Sequence, residues 1–213
     1  MPRLRFAPEG WLFIIPVIIL AAVALLMQWY IAAIIFSAIA AFLLNFFRDP
    51  HRAGSERHVD ILSPADGTVV QIKDINDGEV WPGLTKQISI FMSVFDVHVN
   101  RAPMTGKIIH YRYNAGKKIA AMSHKSSLEN EQNLVVIEDS RGGKVAFKQI
   151  AGLLARRIVF DKKEGDEVVR GERVGMIKFG SRVDIFFPPS AMIKVNPRDK
   201  VKVALTVIAE ITE

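Results

Sequence analysis

Gly165-Asp-Glu-Val-Val-Arg-Gly-Glu-Arg-Val-Gly-Met-Ile177 sets a glycine turn on either side of a strand only a few residues long. Glycine takes the left-handed backbone angles that tight turns demand, so the segment reads as turn, short strand, turn, strand. Ser63-Pro-Ala-Asp-Gly-Thr-Val-Val70 follows the same logic, with an Asp-Gly turn placed directly before a strand. Outward from these two segments, from about residue 60 to the end, short apolar runs alternate with Gly, Pro, Asp and Asn. The spacing predicts strands over 67–73, 87–94, 106–113, 133–138, 144–149, 156–160, 173–179, 182–187 and 201–210. Lys144-Val-Ala-Phe-Lys-Gln-Ile150 shows the period of two that a half-buried strand requires. No strong helical period interrupts the series, although 120–127 is expected as a turn or short helix. The fold class is mainly β, built on an open or partly closed barrel.

The N-terminus is of another kind. From Trp11 to Phe47 there is no charged residue. A bilayer core is crossed by roughly 20 helical residues, so the stretch is too long for one pass and just long enough for two. Gln28-Trp29-Tyr30 divides it with one polar and two amphipathic aromatic residues, which suit a membrane interface. The expectation is a helical hairpin over 1–47, a polar linker over 48–60 with Pro50 ending the helix, and a β domain over 61–213. Arg3 and Arg5 precede the hairpin, and Arg48, His51, Arg52 and Arg57 follow it, so both flanks belong on the cytoplasmic side of a cell membrane. A secretory signal would have a shorter apolar core and a small-residue cleavage site.

The formal charge is +6. Without a Lys/Arg block or an interleaved aromatic stripe, nucleic acid is not the expected partner, and anionic lipid headgroups are the simpler one. Cysteine is absent, which excludes disulfides, thiol catalysis and cysteine metal ligands. No His-x3-His or paired-carboxylate spacing marks a metal site, so none is expected.

The two turn–strand segments resemble the half-motifs of the barrel-sandwich hybrid of lipoyl and biotinyl carrier domains. No lysine sits at the hairpin tip between Gly165 and Gly171, where such a carrier is modified, so a carrier function is not expected. The chemistry is sought instead at Gly180-Ser181, between the apolar runs 174–179 and 183–187. A serine hydroxyl after glycine is able to attack the carbonyl before it, because glycine adds no Cβ to block the approach. An N→O acyl shift there gives an ester. β-Elimination then leaves a dehydroalanine that hydrolyses to a pyruvoyl group. Gly-Ser is equally a common turn dipeptide, so the pair needs a base. Of the five histidines, His51 and His58 lie in the linker, His110 in an alternating strand and His124 in a polar loop. His98 ends an apolar run that stops at polar residues and Pro103, a place where a rigidly held group reaches a cleft.

Asn45-Phe-Phe-Arg-Asp-Pro50, Ser63-Pro-Ala-Asp-Gly67, Phe95-Asp-Val-His-Val-Asn-Arg-Ala-Pro103, Glu129-Asn-Glu-Gln-Asn133, Gln149-Ile-Ala-Gly-Leu-Leu-Ala-Arg-Arg-Ile158 and Phe179-Gly-Ser181 occur in one order. Together they resemble the short, membrane-attached form of the pyruvoyl-dependent phosphatidylserine decarboxylases, over nearly the whole chain. The resemblance implies self-cleavage between Gly180 and Ser181 into a β chain, 1–180, and an α chain, 181–213, that stay together. It implies Ser181 as nucleophile and source of the covalent pyruvoyl cofactor, His98 as base and proton donor, and Asp66 as the carboxylate that orients and charge-stabilises His98. The substrate is then phosphatidylserine. Its amine forms a Schiff base with the ketone, carbon dioxide leaves, and phosphatidylethanolamine is released. Its phosphate and carboxylate call for cations: Arg101, Arg156 and Arg157 are candidates, and Lys117 and Lys118 are read as a solvated surface pair. The departing carboxylate should meet an apolar wall, with Phe179, Phe186 and Phe187 as candidates. A relative acting on archaetidylserine would use the same residues. A non-enzymatic membrane adaptor would explain the anchor but leaves the Asp66, His98 and Gly180-Ser181 set without a reason.

Overall fold

The computed structural model describes residues 4–116, 130–152, 157–178 and 181–211, and the chain divides into two compact units, 1–51 and 52–213. In the first unit, α1 (Trp11–Leu26) packs on α2 (Tyr30–Phe46). The chain reverses at Gln28, whose φ of 58° is the left-handed conformation expected of a turn residue, where the sequence divides the apolar stretch. A two-stranded ribbon, β1 (Leu4–Phe6) against β2 (Arg48–Pro50), ties the outer ends of the pair together. Gly10 is required there, because a Cβ would lie 2.5 Å from the Phe47 ring. Large apolar side chains point away from the pair: Leu12 is 79% and Ile31 78% exposed. The helical run Pro8–Leu26 is long and apolar enough to cross a bilayer, and its partner Tyr30–Phe46 is also apolar but shorter.

Among the described residues the second unit is all β. Eight strands form one antiparallel sheet: β11 (Glu167–Val168), β7 (Gly106–Asn114), β8 (Gln132–Glu138), β9 (Lys144–Ala151), β13 (Ser181–Phe187), β5 (Lys86–Met92), β4 (Gly67–Asp74) and β15 (Lys200–Val201), in that order. Two three-stranded sheets accompany it, β10 (Ile158–Phe160), β12 (Arg173–Ile177) and β6 (Val99–Arg101), and β14 (Met192–Ile193), β16 (Val207–Glu210) and β3 (Asp60–Leu62). The large sheet curls so that one apolar cluster is shared by all three, drawing on Ile61, Val69, Ile90, Phe147, Val174, Val183 and Ile208. Each such side chain removed from water contributes about 1.5–3 kcal/mol.

The predicted strands are found with shifted ends. The stretch 201–210 is not one strand: it breaks into β15 and β16 around Ala204, whose φ is 57°. There the Thr206 hydroxyl accepts from the Lys202 amide and holds the turn. The Gly165 and Gly171 turns flank β11 as the sequence predicts, with φ of 95° and 79°. The expected turn or helix over 120–127 lies outside the described residues.

The core is not wholly apolar. Alternation along β9 turns Val145, Phe147 and Gln149 inward, and Gln149 meets two more buried amides. Its Nε2 donates to Asn100 Oδ1 at 2.8 Å, and its Oε1 accepts from Asn133 Nδ2 at 2.7 Å. Asn100 Nδ2 donates in turn to the Pro64 carbonyl at 3.2 Å. Gln149→Leu keeps the volume but orphans groups on both neighbours, at a cost of about 2–4 kcal/mol. A melting temperature lower by about 5–15 °C is expected, read in the same detergent as the unsubstituted chain, and an unchanged one would refute the bridging role.

Candidate active site

Ser181 is the first residue of β13, the strand at the centre of the large sheet. Across from it stand Met92 on β5 and Ala151 on β9. The period of two places Ser181, Val183 and Ile185 on the inner face, so the hydroxyl faces the core and is fully buried. It donates to Met92 Sδ at 3.2 Å. A thioether is a weak acceptor, which leaves the oxygen desolvated and held by no strong bond.

His98 stands just before β6 and is fully buried. Its Nδ1 lies 2.9 Å from the Asp96 carbonyl oxygen. That acceptor assigns the ring proton to Nδ1 and the lone pair to Nε2. The Ser93–Asp96 turn beneath it is doubly pinned. The Ser93 amide donates to Asp96 Oδ2 at 2.8 Å and the Asp96 amide to the Ser93 carbonyl at 2.9 Å. The His98 carbonyl accepts from the Ile177 amide at 3.3 Å, which fastens this segment to β12.

Asp66 is buried in the turn that enters β4. Gly67 permits that entry, since a Cβ there would sit 2.2 Å from the Phe91 carbonyl oxygen. The carboxylate is gripped by Arg52: Nη1 bonds Oδ1, and Nη2 donates to Oδ2 at 3.0 Å. The Val203 amide adds a third bond, to Oδ1 at 2.7 Å. The sequence reading made Asp66 the group that orients His98. The bonds described give that work on Nδ1 to the Asp96 carbonyl, while Asp66 pairs with Arg52. The Asp66 turn is nevertheless fastened to the His98 strand, because the Pro64 carbonyl accepts from both the Arg101 amide at 3.1 Å and Asn100 Nδ2.

The other candidates scatter. The Arg101 guanidinium donates to the Gly171 carbonyl at 2.8 Å and so braces a turn. Arg157 is exposed, and its carbonyl accepts from the Lys178 amide at 3.2 Å at the end of β12. Gly180, Arg156, Lys117, Lys118, His124 and Phe179 lie outside the described residues. Phe186 and Phe187 do not form the expected wall. Phe186 points to the opposite face of the sheet from Ser181, and Phe187 belongs to the core at the far end of β13, about 20 Å away at 3.4 Å per residue. His110 packs on Trp81, ring centroids 5.0 Å apart, and His51 and His58 are exposed in the linker.

Behind Ser181, on the outer face, Arg182 and Asp184 form a buried two-point ion pair with both contacts at 2.6 Å. Lys148 lies beside them over the Phe186 ring. Burial lowers its ammonium pKa, and the Asp184 charge offsets this in part. Sequence reasoning missed Arg52, Met92, Asn100 and Gln149. Met92 and Gln149 were within reach, since the parity of strands 87–94 and 144–149 turns both to the same face as the core.

The profile of the phosphatidylserine decarboxylase family matches residues 39–209. The chain is similar to proteins named phosphatidylserine decarboxylase proenzyme. One, from Magnetococcus marinus, is 44% identical over 89% of this chain and 88% of its own. Another, from Amoebophilus asiaticus, is 48% identical over 79% and 75%, and one from Ralstonia nicotianae is 42% identical over 99% and 97%. With Asp66, His98 and Ser181 all inside the matched span, this chain belongs to the phosphatidylserine decarboxylase family.

Proposed function

We propose that this chain is a self-processing, pyruvoyl-dependent enzyme that converts phosphatidylserine to phosphatidylethanolamine and carbon dioxide. The observation that carries the reading is the burial of Ser181 at the head of a central strand, directly after Gly180 and within the span that matches the family. Neither archaetidylserine nor an adaptor role is favoured by relatives that are named for phosphatidylserine.

In processing, Ser181 Oγ adds to the Gly180 carbonyl while His98 Nε2 takes the hydroxyl proton, the division of labour of an activated nucleophile. The peptide C–N bond breaks and the acyl group moves to oxygen. Loss of the Ser181 α-proton then expels the Gly180 carboxylate, and water converts the dehydroalanine to a ketone with release of ammonia. Burial favours the first step, because a desolvated hydroxyl and a desolvated imidazole exchange a proton without competing water. Asp66, charged and fixed by Arg52 and Val203, supplies negative potential on the side of the His98 strand that carries the Pro64 carbonyl contacts.

The inner-face position of Ser181, walled by Met92 and Ala151, fits a planar ketone in place of the hydroxymethyl group. When present, the pyruvoyl group supplies the electron sink for decarboxylation. His98 then delivers the proton that replaces the lost carboxylate. Arg157, with Arg156 beside it in sequence, meets the headgroup phosphate, while Arg101 remains a brace. After cleavage β13 belongs to the short chain, yet it is hydrogen-bonded along its length to β5 and β9 of the long one, so the two remain one body. The apolar helix pair inserts in the cell membrane, and the basic residues on both flanks keep the catalytic unit on the cytoplasmic side.

Intact mass of the purified protein should therefore give two species, 1–180 and a piece 181–213 without a free α-amine. A single full-length species in active protein would overturn the reading. Ser181→Ala should be uncut and inactive. His98→Ala and Asp66→Asn should accumulate uncut chain, with cleavage slowed about 100-fold or more for the histidine, the usual worth of a positioned base. Cleavage of His98→Ala at the normal rate would remove it as the base.

Full-length protein should resist extraction by high salt, which screens charge but not apolar burial. A chain starting at Arg52 should lose most bilayer association. Release of the full-length chain by salt in a sedimentation assay would place it on the surface instead.

A further inference from the structure

Ser181 lies at one end of the large sheet, and the side chains around that end are unlike a solvent-facing rim. Phe95, 68% exposed, is the most exposed large apolar residue of the β unit among the described residues. It tops the pinned Ser93–Asp96 turn, three positions beyond Met92, which faces Ser181 across the strands. Tyr113, 49% exposed, stands near the end of β7 on the same side, since Tyr113 pairs with Asn133, Asn133 with Gln149, and Gln149 with Val183. Lys178 follows Ile177, whose amide binds the His98 carbonyl, and the Lys178 amide donates to the Arg157 carbonyl. Two exposed aromatic residues and two cations thus ring the end of the sheet nearest His98 and Ser181. The acidic residues described there are engaged: Glu131 accepts from the Tyr113 hydroxyl and from the Ile158 amide, both at 3.0 Å, and Asp96 from the Ser93 amide at 2.8 Å.

We propose that this rim, Phe95 and Tyr113 with Arg157 and Lys178, docks on an anionic phospholipid surface, with the Phe95 ring seated among the headgroups. The inference rests on the reading that the substrate is a membrane lipid. A lipid with two acyl chains leaves its bilayer only at great cost, while Ser181 is wholly buried, so the end of the sheet that holds Ser181 must come to the membrane. Aromatic rings suit the wet boundary of the acyl layer, and cations beside them match a negative surface.

The chain has no cysteine, so Phe95→Cys provides a unique thiol for a nitrobenzoxadiazole label on the full-length protein. In vesicles containing phosphatidylglycerol the label should emit at shorter wavelength, be quenched by nitroxide-bearing lipid and be shielded from aqueous iodide. The same label at Val169→Cys, 63% exposed beside the opposite end of β7, should stay water-like. A water-like, iodide-accessible label at 95 overturns the proposal. An equal response in vesicles of phosphatidylcholine alone overturns its anionic component.

Turnover gives a second measure. Phe95→Ser should raise the apparent KM for phosphatidylserine in vesicles by about fivefold or more, while turnover of a short-chain, monomeric phosphatidylserine and the extent of self-cleavage change by less than about twofold. Equal losses on both substrates would place Phe95 in the chemistry and overturn the docking role. If the unsubstituted protein turned over neither substrate, the enzymatic reading would fail, and the label alone would still decide the docking.

Discussion

A side-chain amide inside an apolar core is tolerated only when its donors and acceptors are met, and Gln149 meets this condition by bridging Asn100 and Asn133. The consequence reaches beyond stability. Asn133 lies on β8, Gln149 on β9, and Asn100 on β6 two residues after His98, while the Pro64 carbonyl that Asn100 binds belongs to the Asp66 turn. One chain of hydrogen bonds therefore fixes the strand beside Ser181, the segment that carries His98 and the turn that carries Asp66. Apolar packing alone has no such directionality. It would let these pieces slide by the fraction of an ångström that proton transfer does not forgive.

The site is dry, and that decides its electrostatics. Ser181, His98 and Asp66 are all buried, so a charge formed on any of them is little screened by water. Asp66 is tolerable there only because Arg52 and the Val203 amide already satisfy it. The Asp96 carbonyl, as the Nδ1 partner, fixes the tautomer of the buried imidazole.

Much of this was legible in the chain. An uncharged run from Trp11 to Phe47, cut once at Gln28, admits little else than a helix pair, and the period of two located most of the long strands. The short ones, β3, β6, β14 and β15, were missed or merged, because two or three residues carry no period. They exist by pairing with distant segments, which sequence order hides. Ser181 and His98 were singled out through the turn–strand context and the family resemblance together. Arg52 was not, since an arginine in a polar linker looks solvated until the fold folds it back on Asp66. Phe186 and Phe187 misled because adjacent aromatics suggest one wall, whereas neighbours on a strand face opposite ways.

The place proposed for the scissile bond, just before Ser181, fits the same ladder. β13 pairs on both sides from Ser181 onward, with Met92 and Ala151 forming its first rung. A bond within the ladder would have its carbonyl and amide committed to neighbouring strands, so breaking it would cost several hydrogen bonds and expose two sheet edges. A bond at the first rung, if broken, costs at most that rung and leaves the pairs from Arg182 onward. The new chain end is then held by the strand that follows it, in register with Gln149 and its amide partners. Cleavage there, as proposed, would convert the chemistry of one residue while the rungs from Arg182 onward still hold the strand, a reason for such a site to stand at the start of a central strand.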